Sequence, residues 1–211
     1  MSTVFFSVTV SVDGFVAPEG KLDGPDPGPW IARWSELQKY AFQQKFLRDN
    51  LKLGGGGETG EDNRILQETF ERTGVTILGK RMFDAGERSW PEHAPFHTPV
   101  FVVTHQVRSP WERPGGTTFH FVNDGIESAL RRAREVVGSR DIRIGGGADT
   151  IRQFLNAGLV DEFHLAVSPM FMGKGVRLFE DMDHRRLGLE LQRVVSASPL
   201  VTHLLYAVRG K

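Results

Sequence analysis

The sequence predicts an α/β domain with a mixed, mainly parallel central sheet, helices on both faces and an antiparallel hairpin at its C-terminal end. Three observations predict it. Strand-like and helix-like patterns alternate through the middle of the chain, as parallel strands joined by crossover helices require. The stretch Arg143-Ile144-Gly145-Gly146-Gly147-Ala148-Asp149-Thr150 reads as a buried strand end, a glycine turn and a helix start. Ile151, Phe154 and Leu155 then share one helical face, and Gly158 stops the helix. Beyond Phe179 the pattern changes to two strand-like runs, Leu187 to Val195 and Leu200 to Val208, around Ser198-Pro199.

The 211 residues suit one domain, 1–211, large enough to bury a core without staples. Lys plus Arg and Asp plus Glu both number 26, so charge gives no reason to expect a nucleic-acid or membrane partner. The absence of cysteine excludes a disulfide framework, a thiolate metal site and a thiol nucleophile. His93 and His97 flank Pro95, which argues against one helix presenting them as a metal pair, so no metal site is expected. The N-terminus runs into a strand pattern without a basic and apolar leader, and the cytoplasm is the expected compartment.

Thr3 to Val10 reads as a central strand, ended by the turn signal Asp13-Gly14. Ala17 to Pro29 is rich in Pro and Gly and reads as a loop or lid. From Trp30 to about Leu53 the apolar residues recur at helical spacing. Gly54 to Gly57 suggests a flexible loop, with Thr59 and Asp62 as a capping arrangement for a helix carrying Ile65, Leu66, Thr69 and Phe70. Val75 to Leu78 is a buried strand ending at Gly79, and Lys80-Arg81-Met82-Phe83 opens a helix. Pro99 to Val103 and Thr118 to Val122 are strands. Asn123 or Asp124 is the expected cap of a helix with Ile126, Leu130, Ala133 and Val137 inward, and Asp141 to Ile144 is the strand that returns to the glycine turn.

A glycine turn between strand and helix has a chemical use. Without Cβ atoms the backbone approaches a ligand closely, and the helix's first amides, with the positive dipole end behind them, suit a phosphate. A tight turn with no ligand explains the same residues about equally well. The full GxGxxG fingerprint is absent, because Asp149 and Thr150 follow Ala148.

The downstream sequence adds context. Leu159-Val160-Asp161-Glu162-Phe163-His164-Leu165 leads through Ser168-Pro169 to Gly173-Lys174-Gly175-Val176-Arg177-Leu178-Phe179. Together with Ser11-Val12-Asp13-Gly14 and Leu78-Gly79-Lys80-Arg81-Met82-Phe83, this order resembles the C-terminal reductase domain of the bifunctional riboflavin deaminase-reductase, a family built like dihydrofolate reductase. The resemblance runs nearly end to end and implies an NADPH-dependent reductase. It implies a cofactor site in which Gly145, Gly146, Gly147, Ala148, Asp149 and Thr150 seat the pyrophosphate. Lys80 and Arg81 would take the 2′-phosphate, with Gly79 and Met82 at the same junction. Thr104 and His105 would flank the adenosine, and Ala17 the nicotinamide. Ser11, Asp13, Phe15 and Trp30 are then expected to shape the substrate pocket, with Asp84 as a further polar candidate.

The resembled reductases usually carry Lys after the glycine of the first turn, where it helps hold a phosphorylated substrate. Phe15 stands there in this chain, which favours a flatter or less charged substrate. Hydride transfer to a C=N or C=O carbon of a small heterocycle is the expected reaction. It includes the 5-amino-6-(5-phosphoribosylamino)uracil reductase step, with no assigned proton donor. A dihydropterin-type reductase would need an acid such as Glu36 facing the ring, although an exposed helix glutamate is the commoner explanation. A non-catalytic nucleotide-binding protein on the same scaffold is the alternative from another class. The resemblance also implies a homodimer formed through the C-terminal part.

Overall fold

Alternation along the first strand sets the character of the two sheet faces. Phe6, Val8 and Val10 point to one side, and Ser7, Thr9 and Ser11 to the other. In a computed structural model that describes residues 2–20, 26–182 and 187–210, the first half of the chain forms β1 (Val4–Ser11), β2 (Phe15–Pro18), α1 (Gly28–Leu37), α2 (Lys39–Gln43), α3 (Lys45–Asn50), α4 (Glu61–Glu71), β3 (Thr73–Gly79), α5 (Lys80–Glu87) and β4 (Pro99–Val103). The second half forms β5 (Trp111–Arg113), β6 (Thr117–Val122), α6 (Ile126–Val136), β7 (Asp141–Gly146), α7 (Ala148–Asn156), β8 (Glu162–Ser168), β9 (Gly175–Arg177), β10 (Leu189–Ser198) and β11 (Val201–Val208).

The main sheet has the order β10-β11-β8-β1-β7-β3-β4-β6-β5. Its centre, from β8 to β6, is parallel, while β5, β11 and β10 pair antiparallel at the two ends. The C-terminal hairpin is therefore part of this sheet, as the two apolar runs predict. A separate antiparallel pair, β2 with β9, sits beside it.

The apolar face carries the main core. Phe6, Ile77, Ile142 and Ile144 from the strands meet Ile126, Leu130 and Ala133 of α6 and Ile151, Phe154 and Leu155 of α7. Helix α7 ends as the sequence predicts: Gly158 takes φ +67°, its amide bonds Leu155, and the Leu159 amide bonds Phe154. The opposite face is covered by α2 and α4 around Tyr40, Leu66 and Val201, and by α5 and its neighbours around Phe83, Leu78 and Phe119.

Local expectations differ from the structure in several places. The helical run from Trp30 to Leu53 is broken into α1, α2 and α3, because Gln44 turns extended and the incoming Glu58 takes backbone bonds from Lys45 and to Gln43. Thr59 does not cap α4, whose N-cap is Gly60, and Gly125 rather than Asn123 or Asp124 is the N-cap of α6. Asp124 is drawn away by Ser128 and Arg132. The predicted loop from Ala17 to Pro29 contains the end of β2 and the start of α1, and its residues 21–25 lie outside the described residues.

Candidate active site

Parallel neighbours end on the same edge of a sheet, so β1, β7, β3 and β4 deliver the turn at Asp13, the glycine turn, Lys80 and Thr104 to one side. Leu78 is level with Gly146, and Gly79 with Val103. The adjacent strands β3 and β7 then send their helices to opposite faces, α5 to the Phe83 cluster and α7 to the main core. Such a divergence leaves a crevice at the strand ends, the general ligand position in open α/β sheets.

Three of the glycines around this crevice are required, each for its own reason. A Cβ on Gly79 would lie 2.2 Å from Thr150 Oγ1, so its bareness lets α7 pack against the end of β3. At Gly145 a Cβ would meet Leu78 and Thr76 at 2.7 and 2.8 Å. Gly146 adopts φ +114°, a conformation that favours glycine. Gly147 differs from all three: its φ of −73° suits any residue, and a Cβ there meets nothing within 4 Å. The Gly146–Gly147 peptide is cis. Immediately beyond, Ala148 and Thr150 are buried and Asp149 is exposed, its carboxylate held by Arg152.

Lys80 and Arg81 stand at the start of α5, beside this turn. Lys80 is tied to Asp84, one helical turn on, so Asp84 is occupied by its own helix. The Arg81 side chain is 76% exposed, with Asp149 at 3.5 Å as its ion-pair partner. Met82 is exposed near Gly146. At the end of β4, Thr104 is buried and its hydroxyl accepts the Gln106 amide, whereas His105 is exposed.

The expected substrate residues divide. Asp13 is a clamp: the Ser11 hydroxyl donates to Oδ1 at 2.6 Å, and the amides of Met172 and Gly173 reach the two carboxylate oxygens at 2.9 and 2.7 Å. Desolvation raises its pKa, but these three hydrogen bonds outweigh that and bring it down to about 2. A carboxyl so held is a poor proton donor at neutral pH. Phe15 does not face the crevice; it is 4% exposed, packed with Leu37 and Met172 and covered by the Arg177 guanidinium at 4.4 Å. Trp30 is half-buried and stacks on Trp34, and Ala17 pairs with Val176 in the small sheet. Exposed Val12, Ile31 and Phe171 give this end of the sheet an apolar rim, which Arg33 links by donating to the Phe171 carbonyl. Glu36 is exposed and paired with Arg33; the side chain of this region that reaches β1 is the amide of Gln38, whose Oε1 accepts the Thr9 hydroxyl at 2.7 Å.

Sequence reading missed a buried polar network on the Ser7 face. Ser7 contacts His164 Nδ1 at 2.8 Å, His164 Nε2 contacts His203 Nδ1 at 2.8 Å, and His203 Nε2 contacts Asp62 at 3.1 Å. The carboxylate fixes the direction: each ring donates once and accepts once, so both stay neutral. Burial, helped by neighbouring His203, pushes His164 down to about 3. Burial also lowers His203, against the pull of Asp62. The signal available in sequence was Ser7-x-Thr9-x-Ser11 alternating with apolar residues.

The family model of the RibD C-terminal domain matches residues 2–202. Among curated proteins, the chain is 36% identical to the uncharacterized protein YyaP of Bacillus subtilis over 90 residues, which is 43% of this chain and 47% of YyaP. The chain thus aligns with about half of that relative's length. Among solved structures, a putative riboflavin biosynthesis protein from Shewanella matches with TM-score 0.65 and 20% identity, covering 99% of both chains. A dihydrofolate reductase from Enterococcus faecalis, complexed with NADP(H), matches with TM-score 0.55 and 14% identity over 98% of this chain and 96% of its own. The dihydrofolate reductase-like fold that the resemblance implied is therefore the one observed, and the chain belongs to the RibD C-terminal domain family.

Proposed function

We propose that this protein is an NADPH-dependent reductase acting on a small heterocyclic substrate in the crevice between the ends of β1, β7 and β3. The carrying observation is Gly147, where neither φ nor packing calls for glycine and a Cβ would enter open space beside the N-terminus of α7. Close approach of a ligand explains that bareness, and the amides opening α7 suit a pyrophosphate. Arg81, mostly exposed beside this turn, suits the 2′-phosphate that distinguishes NADPH from NADH, with Lys80 adjoining it. The family and the NADP(H)-bound structural relative support the same cofactor.

NADPH would supply the hydride from its nicotinamide C4. The protein's contribution is to hold the accepting carbon of a C=N or C=O group against that position and to exclude water with the apolar rim of Val12, Ile31 and Phe171. As the carbon gains the hydride, the π-bond electrons move to nitrogen or oxygen, which takes a proton from water. Asp13 contributes by fixing the 170–173 loop. Glu36, exposed and paired with Arg33, gives no support to a dihydropterin-type acid. The riboflavin-pathway pyrimidine step remains the named substrate hypothesis, with Phe15 in place of the expected lysine. We further propose a homodimer through edge strand β10, where Leu189, Leu191 and Val194 are exposed.

Replacing Gly147 by Ala tests the cofactor site. Stability should fall by less than about 1 kcal/mol, the cost of a weaker N-cap, while NADPH binding, followed by tryptophan fluorescence, should weaken at least tenfold. A variant that binds NADPH as tightly as the parent refutes the seat. Separately, K80A/R81A should bring NADPH affinity down to that of NADH.

A further inference from the structure

Arg143 is a cation that the network above leaves without a counter-charge. It sits on β7 between Phe5 of β1 and Thr76 of β3, on the face that carries Ser7 and Thr9. Among the described residues its Nε, shielded from solvent, has no hydrogen-bond partner, and its one hydrogen bond is a long one of 3.4 Å from Nη2 to the Ser7 carbonyl. The guanidinium lies 4.8 Å from the Phe70 ring centre, and no carboxylate pairs with it among the described residues. Burial depresses its pKa to about 10, which still leaves it charged at neutral pH. Its polar neighbours are neutral. Tyr40 is pushed by burial up to about 12, His164 is held unprotonated, and Ser7 and Thr9 are hydroxyls. Asp62 on α4 is already engaged by His203 and Ser198.

An isolated buried cation is costly, and a counter-ion removes most of the cost. Arg143 is only half-buried, so part of its side chain is open although its Nε is not, and Gly145 stands two residues nearer the strand ends on the same face. Two residues of strand span about 6.6 Å, a distance that a small ring compound seated at the strand ends covers, over the Leu78 and Thr76 side chains that close on Gly145. The groups that touch it are neutral and Asp62 is held by His203 and Ser198, so one positive charge matches one negative charge better than a phosphate dianion.

We propose that Arg143 is a substrate-binding residue, and that its open side takes a monoanionic oxygen acceptor, a carboxylate or an ionised ring-lactam oxygen, carried by the compound to be reduced. This rests on the reductase reading of the crevice and specifies its substrate class.

The probes are benzoate and benzamide, alike in shape and different in charge, titrated calorimetrically into the full-length protein, with NADPH titrated separately. Benzoate should bind at least tenfold more tightly than benzamide. R143M should abolish that preference, leave NADPH affinity within twofold and raise the melting temperature, because an unpaired buried charge is gone. A structural arginine would instead lower it. Equal binding of the two probes to the parent protein overturns the proposal, as does a preference retained in R143M. If R143M fails to fold, the probe comparison on the parent protein and on R143K decides: the proposal requires a benzoate preference in both. Failure of NADPH to bind while benzoate remains preferred would sink the reductase reading and leave the anion site standing.

Discussion

The two neutral, buried histidines predict a specific acid sensitivity. His164 is 8% exposed and its folded pKa lies near 3, against an ordinary value of 6.5. Below that ordinary value the unfolded chain takes up a proton that the folded protein refuses, so stability is fully present above about pH 6.5 and falls as pH drops towards 3. Between about pH 8 and pH 5 the linkage amounts to roughly 2 kcal/mol for this one residue, a large share of a typical folding free energy of about 5–15 kcal/mol. His203 and the half-buried His120 shift in the same direction and add to the loss. The depressed carboxylates Asp13, Glu61, Asp124 and Glu190 lose their contributions only at lower pH, as they protonate. Urea unfolding at a series of pH values measures this. His164→Leu should destabilise the protein by about 1–3 kcal/mol at pH 8, because Ser7 and His203 lose a partner. Its pH dependence over the same window should be shallower by roughly 2 kcal/mol. A variant with the slope of the parent would refute the assignment of His164 as the proton-refusing group.

Other consequences follow from particular contacts. Gly79→Ala should cost about 1–3 kcal/mol through the collision with Thr150, and Thr150→Ala in the same chain should recover most of it, read as a non-additive double-mutant cycle in thermal melts. Asp13→Ala should speed hydrogen exchange at the Met172 and Gly173 amides, which Asp13 holds; unchanged protection there would show that the loop is fixed by packing alone. Because the Asp13 pKa is depressed, that clamp persists through the usual carboxylate range and is lost only as pH falls through about 2. Phe154→Ala, at a fully buried position of α7, should cost about 3–5 kcal/mol in urea unfolding. A loss below about 1 kcal/mol would contradict its place in the main core.

The sequence by itself determined the elements whose information is local. The strand–glycine–helix unit at Arg143 to Leu155, the strands at Pro99 to Val103 and Leu200 to Val208, and the Gly158 stop each follow from periodicity and glycine chemistry read over a few residues. It also placed Lys80 and Arg81 at a strand end, which the parallel sheet then carries to the same edge as Gly147. Only tertiary structure decided the rest. The break at Gln44 depends on Glu58 arriving from beyond a glycine loop, and β5, three residues long, is too short to show a period. The family resemblance implied Phe15 as a pocket residue, but the return of the chain through Met172 and Arg177 encloses it. The Ser7–His164–His203–Asp62 network joins β1, β8, β11 and α4, so no local pattern contains it. For the same reason nothing local singles out Arg143: its missing ion-pair partner is a property of what surrounds it, and the surroundings come from Tyr40, Phe70 and His164, distant along the chain.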